Sequence, residues 1–286
     1  MRNIVSLPDF TGSFVSGGRC SLDVPIGRVY NDVTFEFYTA AVAMTVAQML
    51  AQVSSITLKL NGKPVREWTP GSLGIVNGTD GAQFATANGY LRDYFALPAL
   101  RTIEGEERNA LGTDGLRTMT YEIVWLVAVT PTVKAWANVE EFNRPVLAYP
   151  FRHIRTYNSM PVVAASAQFP GSSLNKQANL WYRRIHFSSV LISKAKMLVN
   201  GVTKWDDLPR LLVTELLAKQ GLAQQANVYT MAFDGTSSQY TDILPSFGVN
   251  DKGEKLPVAD LRLEYTGTAG GSVDIITEQL NFVSLD

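Results

Sequence analysis

A short stretch occurs twice in this chain and limits what it can fold into. The first copy reads Ile56-Thr57-Leu58-Lys59-Leu60-Asn61-Gly62-Lys63-Pro64-Val65-Arg66-Glu67-Trp68. The second reads Lys196-Met197-Leu198-Val199-Asn200-Gly201-Val202-Thr203-Lys204-Trp205. Each is a strand-like run, an Asn-Gly pair and a return that ends in tryptophan. Asn-Gly between apolar runs signals a tight hairpin, because both central residues of a type I′ turn need positive φ. The copies lie about half the 286-residue chain apart, which points to two related domains in tandem.

The surroundings of each copy follow one outline. Val33, Phe35 and Phe37 alternate with Thr34, Glu36 and Tyr38, the period-two pattern of a half-buried strand. Residues 1–27 read as an extended arm rich in Gly and Pro. Thr45 to Val53 reads as one or two helical turns, and Thr69-Pro70-Gly71 as a turn. Phe84, Ala87, Leu91 and Tyr94/Phe95 recur at helical spacing, so an amphipathic helix is expected over 82–95, capped from Thr79 or Asp80. Leu116 to Val129 reads as one long strand. Two prolines and a charge cluster over 138–152 mark a boundary. In the second half, Asn179 to Ile192 corresponds to residues 28–38. Asp206-Asp207 opens a helix whose period runs through Leu208, Leu211, Leu212 and Leu216 to a stop at Gly221, with the leucine stripe as core. The glycines of 267–271 read as a hairpin turn. Many short strands with Gly and Pro turns indicate a sandwich or barrel. The expected architecture is mainly β: two tandem eight-stranded jelly-roll barrels with a helix inserted in each, over 1–143 and 144–286.

Composition narrows the function. Hydrophobic content of 46% with 18% charged residues describes a core-forming chain, and a net charge of −1 argues against one whose main task is gripping nucleic acid. Low net charge also weakens the repulsion between like copies. Cys20 is the sole cysteine, which excludes an internal disulfide, and it reads as a small apolar side chain in a strand. His153 and His186 are the only histidines, too few for a histidine-rich metal site. No apolar run approaches the ~20 residues of a spanning helix. The N-terminal residues lack the apolar core of a signal peptide, so synthesis in a cytoplasm is expected.

Catalytic signatures are missing. Gly71-Ser72-Leu73-Gly74 lacks the spacing of a nucleophile elbow, and the 267–271 glycines are not followed by the Lys-Ser/Thr of a phosphate loop. Glu140-Glu141, Asp206-Asp207 and the Glu104/Glu106/Glu107 group are carboxylate clusters. Sequence neighbours on a strand face opposite ways, so such pairs do not make the facing geometry of a glycosidase. The first and last groups read as solvated loops, and Asp206-Asp207 as a helix start. Arg152-His153-Ile154-Arg155 and Arg183-Arg184-Ile185-His186 are the densest basic patches. They are candidates for lipid headgroups or phosphates, and read first as solvated strand faces or intersubunit salt bridges. Asn77-Gly78-Thr79 has the form of a glycosylation sequon and reads as a turn. No catalytic, cofactor-binding or metal-ligating residue is assigned.

The arm leading into Ser21-Leu22-Asp23-Val24-Pro25-Ile26-Gly27-Arg28-Val29-Tyr30, the Asn61 to Trp68 stretch, the helix after it and the repetition of the scheme resemble the major capsid proteins of corticovirus-like bacteriophages. Those are icosahedral viruses with an internal membrane. The resemblance implies a non-enzymatic double jelly roll whose homotrimers form pseudo-hexameric capsomers of the virion shell. It implies as partners neighbouring capsomers, a vertex protein and the internal membrane or its proteins, with no direct sequence-specific nucleic acid binding. It also implies structural calcium between subunits, without ligands assignable here. The alternatives are a tandem jelly-roll protein that binds or hydrolyses glycans, and another virion component such as a vertex or receptor-binding protein.

Overall fold

The computed structural model describes residues 2–39, 41–81, 89–96, 110–127, 131–142, 144–146, 150–163, 166–168, 174–234 and 243–282. The chain divides into two compact units, Met1–Ile154 with Phe282–Asp286, and Arg155–Asn281. The division falls inside the strand Phe151–Val162.

The first unit has two layers. One sheet is built on Val29–Thr39, which pairs on one side with Pro131–Glu140 and on the other with Tyr90–Tyr94, Leu111–Gly112 and Val42–Ala43. Arg2–Ser6 adds to the far edge of Pro131–Glu140. The supposed arm is therefore woven into the sheets. The other layer runs Lys63–Trp68, Val53–Leu60, Met119–Trp125, Arg19–Asp23 and Thr11–Gly12. Val33, Phe35 and Phe37 point inward and are fully buried. The Phe35 ring meets Tyr121 edge-on at 4.9 Å and Trp68 at 6.2 Å, which ties the layers together through aromatic packing. Cys20 lies buried in its strand and accepts a hydrogen bond from Trp125 Nε1 at 3.4 Å.

The second unit repeats the plan. Trp181–Ser188 lies between Tyr229–Ala232 and Gly271–Asn281, which in turn neighbours Phe151–Val162. The facing sheet runs Ser166–Gln168, Leu261–Gly267, Ile192–Val199 and Val202–Trp205. Their inner faces share one core, including Tyr182, Ile185 and Phe187 from one sheet and Ala195, Met197, Leu263 and Tyr265 from the other. The layers are open sheets rather than closed barrels. Several end on strands of two to four residues, such as Thr11–Gly12 and Val202–Trp205, which are too short to bridge to the facing layer. The segment before Gly271 passes from one sheet to the other and is not a hairpin turn.

Both Asn-Gly hairpins form. Asn61 and Gly62 have φ of 50° and 76°, and Asn200 and Gly201 have φ of 49° and 77°. Each asparagine also staples its turn to a distant loop. Asn61 donates its N–H to Thr118 O at 2.9 Å and accepts from Arg117 N at 2.7 Å. Asn200 donates to Asp260 O at 2.9 Å and accepts from Asp260 N at 3.0 Å. In both cases the loop leads into the next strand of the same sheet, Met119–Trp125 or Leu261–Gly267. The two tryptophans diverge: Trp68 is fully buried, whereas Trp205 is half-buried and donates to Tyr229 Oη at 3.2 Å.

The helices depart from expectation in instructive ways. Val46–Gln52 forms, opened by a Thr45/Gln48 capping box. Pro70–Thr79 is a helix, not a turn: Thr69 caps it with Ser72, and Pro70 occupies its first turn, where the missing N–H costs nothing. Asn77-Gly78-Thr79 lies in this helix, and Asp80 closes its C-terminus. Of the helix expected over 82–95, residues 82–88 lie outside the described residues and Tyr90–Tyr94 is a strand. Of the long strand expected over 116–129, Met119–Trp125 is a strand, and residues 128 and 129 lie outside the described residues. The last helix, Arg210–Lys219, begins after Pro209, so Asp206 and Asp207 precede it. Val213 and Leu217 are its buried residues, whereas Leu211 is 83% exposed and the expected leucine stripe is not its core face. Gly221, at φ 72°, ends it as expected.

Candidate functional site

Three constellations of polar side chains stand out among the described residues. Two are buried ionic clusters, one in each unit, built from the basic runs that the sequence placed on solvated faces.

In the first unit, Arg66 is wholly buried in the strand Lys63–Trp68. Its guanidinium packs against the neighbouring rings of Phe95 and Phe151, 4.7 and 4.8 Å from their centroids. It donates to Asp93, to Tyr94 O at 3.0 Å and to Arg152 O at 2.8 Å. Asp93 also accepts from the Tyr121 hydroxyl at 2.7 Å. Burial and the neighbouring Asp93 hold that phenol well above its usual range. Arg152 donates to Asp80 at 2.8 Å and to Tyr94 O at 2.7 Å. Two cations and two carboxylates thus neutralise each other where water is excluded.

The second cluster is tighter. Asp234 accepts from Arg183 Nε at 2.6 Å and from Arg184 Nε and Nη2 at 2.8 and 2.9 Å. Glu278 accepts from Arg183 Nη1 at 3.1 Å. His186 Nε2 lies 2.8 Å from Glu278 Oε1, and its Nδ1 lies 3.0 Å from Thr230 Oγ1. The Thr230, His186, Glu278 order has the outline of a nucleophile, base and orienting carboxylate. All three are at most 1% exposed, so no substrate reaches Thr230 Oγ1 in this packing. Sequence-adjacent Arg183 and Arg184 reach the same carboxylate because the register of their strand shifts between Tyr182 and Arg184.

The third constellation is a groove of about 460 Å³ on the outer face of the first unit's Val29–Thr39 sheet. It is lined by Ile4, Asp32, Thr34, Glu36, Tyr90, Arg92, Trp136, Ala137 and Asn138. Register explains the grouping: Thr34 lies between Trp136 and Arg92, Asp32 between Asn138 and Tyr94, and Glu36 opposite Tyr90. A half-buried strand should leave this face in water. Asp32 and Glu36 are instead 9% and 6% exposed. Asn138 Nδ2 donates to Asp32 at 3.2 Å, and Arg92 Nε lies 3.7 Å from it. Arg92 also donates to Thr34 Oγ1 at 2.9 Å. Glu36 accepts from the hydroxyls of Tyr38 and Tyr90. That bond pushes the Tyr38 phenol up to about 12. Burial raises the Asp32 carboxyl, and Arg92 and Asn138 offset only part of the rise.

A pH dependence follows. A carboxyl with a raised folded pKa favours folding while protonated, and that contribution is lost as pH rises through the folded value. Asp32→Asn is therefore expected to unfold at higher temperature than wild type at pH 7. The gain should shrink as pH falls toward the ordinary Asp value of 3.8. A wild-type advantage at pH 7 in thermal melts across this range would contradict the assignment.

The carboxylate pairs fare differently. Glu140 is buried at the end of its strand and accepts from Asn31 Nδ2 at 3.1 Å, so it is no solvated loop. Glu141 is exposed and accepts from Asn3. Asp207 stands alone at φ 44°, and Asp206 lies 3.6 Å from Lys196. Glu104, Glu106 and Glu107 lie outside the described residues. Among the described residues no three His, Cys, Asp or Glu side chains converge as metal ligands, so no calcium site is assigned within one chain.

Comparison with known proteins agrees with the fold. The crystal structure of the major capsid protein P2 from bacteriophage PM2 superposes with a TM-score of 0.81 at 18% identity, over 99% of this chain and 98% of that one. The STIV major capsid protein gives 0.66 at 11% identity, over 99% and 97%. The Faustovirus major capsid protein gives 0.59 at 7% identity, over 99% and 90%. No curated protein matches by sequence. The viral coat protein P2 N-terminal domain matches residues 4–140, and the viral coat protein P2 C-terminal domain matches residues 152–283. With two stapled two-layer units and a matching domain over each, this chain belongs to the viral coat protein P2 family, and its role is that of a capsid shell protein.

Proposed function

We propose that three copies of this chain form a pseudo-hexameric capsomer that tiles an icosahedral shell around an internal membrane, without catalytic activity. The observation that carries this reading is the duplication itself. Two units with the same pair of layers, each marked by an Asn-Gly turn stapled to the loop before its next strand, let three chains supply six similar corners. A net charge of −1 supports dense packing of like subunits, since little long-range repulsion opposes it. Neighbouring capsomers, a vertex protein and the internal membrane or its proteins complete the partners in this reading. It includes no sequence-specific nucleic acid contact, and synthesis in the host cytoplasm.

Native mass spectrometry of the purified protein, followed by negative-stain electron microscopy, tests it. The expected species weighs three times the 31.4 kDa chain and shows a six-cornered outline. A protein that stays monomeric at high concentration overturns the reading, and a stable assembly other than a trimer favours a vertex or receptor-binding component.

A further inference from the structure

The geometry points to a second activity, independent of the shell role: the groove over Trp136 binds a neutral saccharide, with one pyranose face stacked on the indole.

The chemistry of the lining selects this ligand class. Four adjacent strands contribute, and the groove lies open along a sheet face, so it admits a flat ring more readily than a compact ion. Its volume of about 460 Å³ falls within the usual range for small-molecule sites. Trp136 and Tyr90 supply aromatic surface, and Ile4 adds an apolar rim. Around them stand two carboxylates, an amide, a hydroxyl and a guanidinium, a mixture of donors and acceptors at short spacing. A pyranose matches both parts: its axial C–H face is apolar, and its hydroxyls each donate and accept.

Charge excludes the competitors. An anion would meet Asp32 and Glu36, both more than nine-tenths buried. A cation would meet carboxylates that are already engaged. Asp32 holds Asn138 and faces Arg92, and Glu36 takes the hydroxyls of Tyr38 and Tyr90. A purely apolar ligand would strip water from those groups without replacing its hydrogen bonds. A neutral polyol uses the remaining lone pairs of the carboxylates and leaves the internal bonds in place. The burial of Asp32 and Glu36 on a face turned away from the core also prearranges these acceptors, so little ordering is required on binding.

The full-length protein, in whatever assembly it adopts, can be titrated with methyl glucoside, methyl galactoside, N-acetylglucosamine and maltose. Tryptophan fluorescence and saturation-transfer NMR report binding. At least one is expected to bind with a dissociation constant of about 1 mM or tighter. Saturation should fall on the ring C–H protons of the stacked face. Trp136→Ala should weaken binding at least about tenfold, as loss of a stacked aromatic partner implies. Trp136→Phe should restore part of it, and it guards against misfolding of the alanine variant. Failure of all four sugars to bind the wild type overturns the proposal, as does equal binding by Trp136→Ala. Release of subunits by Trp136→Ala, with no sugar bound by the wild type, would make the groove a contact between copies and overturn it too. Tight binding of a lysine peptide or of inorganic phosphate in place of the sugars would show that charge, not stacking, governs the site.

Discussion

Asp234→Ala is expected to lower the stability of the second unit by about 3–5 kcal/mol, because it removes the carboxylate that two buried guanidiniums share. Asp234 takes three hydrogen bonds, one from Arg183 and two from Arg184, and is 1% exposed. Arg183 also lies 3.1 Å from Glu278, Arg184 Nη1 lies 3.7 Å from the same side chain, and Glu278 faces His186. Loss of Asp234 removes a carboxylate shared by two buried cations. At the usual entropy of unfolding for a unit of this size, the loss corresponds to a melting temperature about 10–20 °C lower. Scanning calorimetry on the full chain reads it directly. A shift of less than about 2 °C would mean that solvent or chain movement reaches this cluster, against the burial seen here.

Asp93→Ala should cost the first unit a similar amount, about 3–5 kcal/mol, for a different reason. Here Arg66 packs against Phe95 and Phe151, is fully buried, and has Asp93 as its carboxylate partner, while Arg152 is held by Asp80. Loss of Asp93 leaves that charge without its carboxylate and the Tyr121 hydroxyl without its acceptor. Arg66→Met strands Asp93 in the same way. Replacing both partners, as Arg66→Met with Asp93→Leu, removes the charges together, and apolar replacements of buried ion pairs are often neutral. The double variant is therefore expected to be more stable than either single one. If urea denaturation shows the two losses adding, Arg66 and Asp93 do not interact in the way their geometry indicates.

The backbone plan was legible from local signals, and the polar interior was not. The Asn-Gly turns announce themselves because few residue pairs tolerate two positive φ values in succession, and both formed as read. Gly221 likewise ends its helix. The helix Pro70–Thr79 escaped notice because Pro70, Gly71, Gly74 and Gly78 are poor helix formers. Its stability comes from the Thr69/Ser72 cap and from burying Leu73 and Val76. Leu91 and Tyr94 fit a helical period by chance, since their strand pairs with Val29–Thr39, a partner far off in sequence. The basic runs misled for a related reason. Arginine is rarely buried unless paired, and the partners of Arg152 and Arg184 lie 72 and 50 residues away. Glu36 read as the solvated side of a half-buried strand, yet it is 6% exposed because Tyr38 and Tyr90 cover it with their hydroxyls.

The last described strand carries a consequence for synthesis. Gly271–Asn281 is not an edge: it lies between Trp181–Ser188 and Phe151–Val162, and it brings Glu278 to the arginines. The second unit therefore cannot close its sheet or bring Glu278 to Arg183 and His186 until residue 281 has left the ribosome. The sheet built on Val29–Thr39 in the first unit has its strands by residue 140. The second unit depends on later pairings of long sequence separation, which form slowly. Chains cut short before this strand cannot complete the sheet of the second unit.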